Sequence, residues 1–159
     1  MDYPKLELEN RAKILQNMLQ CEGYGAKAPE WDEQDSTWDV RVHFEGMAIL
    51  VIFDLDDPLF VRVVLPNFWH VEPYHLSSAL AALDMANKKA KGAKVYLNLE
   101  CSGSIASMEF LYNGSGQDGP MLVRTMRMVT NVAKIYVDAI KASRALTATP
   151  AHDPCIVIQ

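Results

Sequence analysis

The fold is decided by the stretch Met47-Ala-Ile-Leu-Val-Ile-Phe-Asp-Leu55 and, after the turn Asp56-Asp57-Pro58, by Phe60-Val-Arg-Val-Val-Leu65. β-branched and aromatic residues fill both runs, and each run has the length of one strand. The short link between them predicts neighbouring antiparallel strands. A further strand precedes them over residues 40–45, where apolar and polar residues alternate, and Gly46 marks the turn between the two. The centre of the chain therefore predicts an antiparallel meander.

Three helices and two more strands surround this meander. Apolar residues recur at spacings of three and four over Pro4–Gln20, His75–Lys91 and Met121–Ala145, which predicts amphipathic helices. The segments Lys94–Glu100 and Ile105–Tyr112 read as strands, joined by a Ser-Gly-Ser turn. The predicted order is α-β-β-β-α-β-β-α. It describes an α+β protein with an antiparallel sheet and helices packed mainly on one face.

The length of 159 residues predicts one domain. We place that domain at residues 1–145 and expect an irregular C-terminal tail over residues 146–159, where Pro150 and Pro154 interrupt the chain. An acidic loop is expected over residues 26–37, between the first helix and the first strand. Half of the residues are apolar and 22% are charged, which is typical of a globular protein rather than a disordered one.

Charge and cysteine content restrict the class of protein. The net charge of −5 argues against a general nucleic-acid or anionic-membrane binder. The longest strictly apolar run is Met47–Phe53, too short to cross a bilayer, and the N-terminus lacks an apolar signal core. The three cysteines, Cys21, Cys101 and Cys155, form no CxxC pair, which suggests free thiols in a reducing compartment. We therefore expect a cytoplasmic protein.

The two central strands carry apolar residues on both faces, although a sheet covered on one face should alternate. Two explanations stay open: the tail or the 26–37 loop covers the second face, or a partner does. The partner would be a second copy of this chain or another polypeptide. The candidate residues are four sheet side chains with two tryptophans as anchors: Leu50, Ile52, Phe60, Val64, Trp31 and Trp69.

Other motifs lack the context that chemistry needs. Gly114–Gly119 spells GxGxxG, but a dinucleotide site requires a βαβ unit, so we expect a flexible linker with Asp118 as an N-cap. The segment His70–His75 holds two histidines and a glutamate whose spacing does not converge on one metal ion. The aspartates at 54–57 lack the pattern of a calcium loop and are explained by turns. No basic partner is placed beside Cys101. We predict no catalytic residue, cofactor or metal.

One segment resembles a known family. Ala82–Leu99 contains Asn87 and then Gly92-Ala93-Lys94-Val95-Tyr96-Leu97, and it is similar to the helix-to-strand passage of YbjN-type proteins. That family shares its fold with type III secretion chaperones, and the likeness in element order covers about residues 4–145. The resemblance implies a small, acidic, dimeric protein without catalytic residues. The chaperones bind client segments along exposed apolar patches, and YbjN-type proteins are described as putative regulators.

The sequence thus favours a non-enzymatic protein-binding module, chaperone-like or regulatory, that acts as a homodimer and binds a polypeptide partner. Binding through shielding of an apolar segment and binding through edge-strand pairing both stay open. The alternative is a small-molecule sensor or enzyme that uses a pocket between helices and sheet, with His70, His75 or Cys101 at its edge.

Overall fold

A computed structural model describes residues 3–98, 100 and 102–147 of the chain. It contains three α-helices, α1 (Tyr3–Cys21), α2 (Leu76–Lys89) and α3 (Asp118–Thr147). One turn of 3₁₀-helix, Pro73–His75, leads into α2. Helix α3 continues to Thr147, so positions 146–147 of the predicted irregular tail are helical, and the rest of that tail, from position 148 onward, lies outside the described residues.

Seven strands form one antiparallel sheet. Their bounds are β1 (Gly25–Ala26), β2 (Glu30–Asp32), β3 (Thr37–Phe44), β4 (Met47–Asp54), β5 (Phe60–His70), β6 (Lys94–Asn98) and β7 (Gly103–Leu111). The order across the sheet is β1-β3-β4-β5-β7-β6, and β2 also pairs with β3. The hairpin β6–β7 is therefore attached through its second strand, which lies between β5 and β6.

The predicted α+β architecture is confirmed, with two additions to the element order. The segment expected to be a loop over 26–37 contains β2 and the end of β1, which both pair with β3. The prediction of a loop there was wrong because strands of two and three residues are too short to show a period. Strand β5 also continues past Leu65 to His70, through a bulge between Leu65 and Trp69.

A two-residue turn explains the tight β3–β4 hairpin. Phe44 pairs directly with Met47, so Glu45 and Gly46 form the whole loop. Both have positive φ, 49° and 79°, as a type I′ turn requires. This turn fixes the register of the hairpin and with it the face on which each side chain of β4 lies.

The core lies on one side of the sheet. Alternate residues of β3, β4 and β5 are buried there, and helices α1 and α3 pack against them. Helix α2 contacts α3 and β6. The helix side chains that fill this core have the predicted spacing of three and four; the most buried are Ala12, Leu15, Leu122, Met126, Val129, Tyr136 and Ile140. Helices α1 and α3 thus bury their apolar stripes as expected, whereas α2 buries Ala79 and Ala86 but leaves Leu76 and Leu80 of its predicted apolar face 37% and 51% exposed.

A candidate interaction surface

The side of the sheet opposite the helices, here called the outer face, carries the apolar row that the sequence predicted. Leu50 and Val64 are direct partners across β4 and β5, and Ile52 is the next residue of β4 on the same face. Val64 is 7% exposed yet does not belong to the hydrophobic core, while Leu50 and Ile52 are half-buried. These three side chains are neighbours on the outer face, and Leu50 and Ile52 remain partly exposed there.

Two apolar residues that the sequence analysis did not single out extend this row. Ile105 of β7 pairs with Tyr96 of β6, and both have the parity of the outer face. Tyr96 is 43% exposed and Ile105 is half-buried. The signal was available in the sequence, because Ile105 alternates with the core residue Ala106. The outer-face patch is defined as Leu50, Ile52, Val64, Tyr96 and Ile105.

Charged residues border this patch. Ile52 pairs with Arg62, which pairs in turn with Glu109 on β7. The Arg62 Nε donates a hydrogen bond to Glu109 Oε1 over 2.6 Å, and this bond raises the pKa of the guanidinium. On the other side of Ile52, burial raises the pKa of the Asp39 carboxyl, against the hydrogen bond that it accepts from the Thr37 hydroxyl. The face is thus apolar in its centre and mixed in charge around it.

Phe60 lies on the outer face at the end of the sheet, away from the other three predicted residues. It pairs with Leu111 of β7, and the two side chains are 41% and 55% exposed. Leu59 and Ile14 of α1 are similarly exposed, and they line a groove of about 700 Å³ together with Leu111. The end patch is defined as Ile14, Leu59, Phe60 and Leu111.

The two tryptophans predicted as anchors lie on the helix side of the sheet. Trp31 pairs with Trp38, their rings are 5.4 Å apart, and the Lys5 ammonium lies 3.6 Å from the centre of the Trp31 ring. Trp69 pairs with Ser104, whose hydroxyl bonds to a tyrosine of α3. Both tryptophans pack against the core. The structure therefore does not bring them together with Leu50, Ile52 and Val64.

The edge strands of the sheet are short: β6 has five residues on one side, and β1 and β2 have two and three residues on the other. At the β6 edge, the Asn87 side chain donates to the Val95 carbonyl over 2.9 Å and accepts from the Val95 amide over 2.8 Å. This bidentate contact occupies the backbone amide and carbonyl of Val95, in the middle of the short strand, and so leaves few groups for an added strand. At the opposite edge, β1 and β2 pair with β3. Of the two binding modes that the sequence left open, the geometry favours the face over edge pairing.

The residues considered as candidate metal ligands or catalytic groups do not form one site. His70 lies 4.0 Å from Glu72, and the His75 ring stacks on Tyr74. Neither histidine lines the nearby cavity of about 170 Å³ between the start of α2 and the β6–β7 turn. Within the described ranges, no group of three His, Cys, Asp or Glu side chains could hold a metal ion. Cys101 lies outside the described residues.

The glycine-rich segment Gly114–Gly119 joins β7 to α3. Strand β7 is antiparallel to both of its neighbours, so the βαβ context of a dinucleotide site is not formed here. The buried Asp118 is the first residue of α3, and its Oδ1 accepts a hydrogen bond from the Asn113 amide. Asp118 thereby closes the loop at the helix start. In the part of the chain that is described, no helix is long and apolar enough to span a membrane.

The fold and this surface define a small α+β protein with a sheet covered by helices on one side. No family model matches the sequence, and no curated protein matches it significantly. Among solved structures it is similar to the crystal structure of an uncharacterized protein from Methanothermobacter thermautotrophicus. The TM-score is 0.62 with 14% identity, covering 82% of this chain and 96% of that chain. Such a likeness shows the fold alone, and the YbjN-like assignment stays a prediction.

Proposed function

We propose that this protein is a non-enzymatic protein-binding module that forms a homodimer through the outer face of its sheet. The observation that carries the proposal is the outer-face patch, a set of five apolar side chains on one face of four neighbouring strands, away from the helices that pack on the other face. Contiguous apolar surface of this kind marks interaction sites in proteins that are otherwise ordinary in composition. Membership of a YbjN-like or chaperone-like class would agree with this role.

A second copy of the chain is the occupant proposed for this face, which carries charges of both signs around its apolar centre. The five long strands place Arg41, Arg62 and Lys94 on this face against Asp39, Asp54 and Glu109, three charges of each sign. Strand β2 adds Glu30, which pairs with Arg41, and Asp32 at the rim. The chain as a whole carries −5. The face thus carries three cations and five carboxylates, and a twofold contact can place the cations of one copy beside the carboxylates of the other.

The end patch is the part of the surface that we assign to a polypeptide partner. Three of its side chains, Ile14, Leu59 and Leu111, are more exposed than any side chain of the outer-face patch, and they line a groove of about 700 Å³. Phe60 and Leu111 also lie on the outer face, so a partner bound here would be continuous with the dimer contact. Both halves of the proposed function depend on apolar contact rather than on catalysis.

The Leu50→Asp variant tests the dimer, because it buries a charge in the proposed contact. The matched control is Leu80→Asp, which places the same charge on α2, where the leucine is 51% exposed. Light scattering at micromolar concentration should give a dimer for the parent chain and for Leu80→Asp, and a folded monomer for Leu50→Asp. A monomeric parent chain, or a Leu50→Asp variant that stays dimeric, would refute the proposed contact.

A further inference from the structure

A further cavity, distinct from the two already described, lies on the helix side of the sheet, between α3 and residues of β4 and β5. Its volume is about 620 Å³, which is within the usual range for small-molecule sites. The floor includes the buried side chains of Leu65 and Ala133. Phe68, which packs edge-on against Tyr136 at 5.7 Å, adds an aromatic wall. An apolar ligand group is the natural occupant of such a floor.

The rim of this cavity carries charges of both signs, all from α3. Lys134 is engaged by Glu45 of the β3–β4 turn, with its Nζ 3.1 Å from Glu45 Oε2. Asp138 and Lys141 also line the cavity, and neither forms an ion pair with any residue that the structure describes. They are three positions apart, which places them on the same side of the helix, one turn from each other. One carboxylate and one ammonium are thus available above an apolar floor.

We propose that this cavity binds a free α-amino acid with a large apolar side chain. The ligand's ammonium would bind the Asp138 carboxylate, its carboxylate would bind the Lys141 ammonium, and its side chain would enter the floor beside Leu65 and Phe68. An apolar carboxylic acid would leave Asp138 facing a like charge, and an apolar amine would do the same to Lys141. A zwitterionic head group presents an opposite charge to both the Asp138 carboxylate and the Lys141 ammonium.

This proposal is independent of the proposed dimer, because Asp138 and Lys141 lie on α3, on the opposite side of the sheet from the outer-face patch. It is tested by titrating the full chain with L-phenylalanine in a calorimeter. Three analogues each remove one feature: 3-phenylpropanoate lacks the ammonium, phenethylamine lacks the carboxylate and glycine lacks the side chain. We expect saturable binding of L-phenylalanine. Binding of 3-phenylpropanoate and of phenethylamine should be roughly tenfold weaker because each loses one charge-assisted contact, and binding of glycine should be weaker by roughly tenfold or more because the apolar contact is lost.

Two rim variants assign the contacts. Asp138→Asn should remove the preference for L-phenylalanine over 3-phenylpropanoate, and Lys141→Met should remove its preference over phenethylamine. The matched control is Arg127→Met, an exposed cation of the same helix that does not line the cavity. The proposal is overturned if L-phenylalanine shows no saturable binding, if the three aromatic ligands bind equally to the parent chain, or if Arg127→Met weakens binding as much as Lys141→Met.

Discussion

At the scale of single residues, Asn87 stabilises the β6 edge of the sheet through hydrogen bonds to Val95. Its amide completes both backbone hydrogen bonds of Val95, and its own carbonyl accepts a bond from the Lys94 ammonium over 2.9 Å. A helix side chain thereby takes the place of a neighbouring strand. Asn87 lies in the segment that resembles YbjN-type proteins, but its bonding to the strand eight residues later is a product of the fold.

Replacement of Asn87 by alanine should therefore destabilise the protein. The Val95 amide and carbonyl lose their partners, which should lower the free energy of unfolding by about 1–3 kcal/mol. Urea denaturation of Asn87→Ala measures this loss. The matched control is Asn131→Ala on the exposed side of α3, which should change stability little. Equal effects of the two substitutions would show that the bidentate contact adds no stability.

Asp39 gives a prediction about pH. Burial raises the pKa of its carboxyl above the ordinary value of 3.8, with Asp32 and Asp35 adding repulsion and Thr37 and Arg41 opposing. Between 3.8 and the raised pKa the folded state binds more protons than the unfolded state, so the carboxyl destabilises the fold as pH rises through this window. The effect is absent below the window and complete above it.

The Asp39→Asn variant does not ionise and should gain stability relative to the parent chain as pH rises. Its melting temperature should be compared with that of the parent at about pH 3 and about pH 7. The difference should move in favour of the variant between the two conditions. A difference that is constant with pH would contradict the assigned cause of the pKa shift.

At the scale of elements, the sequence was most informative where a period is long enough to detect. The three helices and the five long strands were predicted, with ends within a few residues except for β5. The short strands β1 and β2 have too few residues for alternation to be visible. The placement of β7 between β5 and β6 depends on long-range pairing, which no local pattern encodes.

The two tryptophans show the same limit. Trp31 is on the helix side because it pairs with Trp38, and this pairing exists only once β2 folds onto β3. Leu65 pairs with Ala106 and Trp69 pairs with Ser104, so four residues of β5 span the same length as two residues of β7 across the bulge. Trp69 therefore lies on the same face as Leu65. Aromatic character alone therefore did not predict the face on which the two tryptophans lie. The alternation along β4 and β5 did predict the face of Leu50, Ile52 and Val64.

The attachment of α3 to the sheet includes one buried polar contact that can be tested. The Ser104 hydroxyl of β7 and the Tyr136 hydroxyl of α3 are 2.9 Å apart, and both residues are fully buried. Tyr136→Phe leaves the serine hydroxyl without this partner and should lower the free energy of unfolding by about 1–3 kcal/mol. The control for chemical denaturation is Tyr74→Phe, where the side chain is 74% exposed. A Tyr136→Phe variant as stable as the parent would refute the importance of this contact.

At the scale of the whole molecule, the proposed partner site predicts an assay that separates the two patches. Leu111→Asp places a charge in the end patch, where the leucine is 55% exposed. It should reduce the ability of the protein to suppress aggregation of an unfolded model protein, because the apolar groove is interrupted. Leu80→Asp on α2 should suppress aggregation as the parent does. If Leu111→Asp also suppresses aggregation fully, the end patch is not the partner site.

The central claim is that the outer face of the sheet is the contact between two copies of the chain. Sedimentation equilibrium over micromolar concentrations tests it most directly. The account predicts a mass of twice 17.8 kDa for the parent chain and of 17.8 kDa for the folded Leu50→Asp variant. A parent chain that sediments at 17.8 kDa throughout would contradict it.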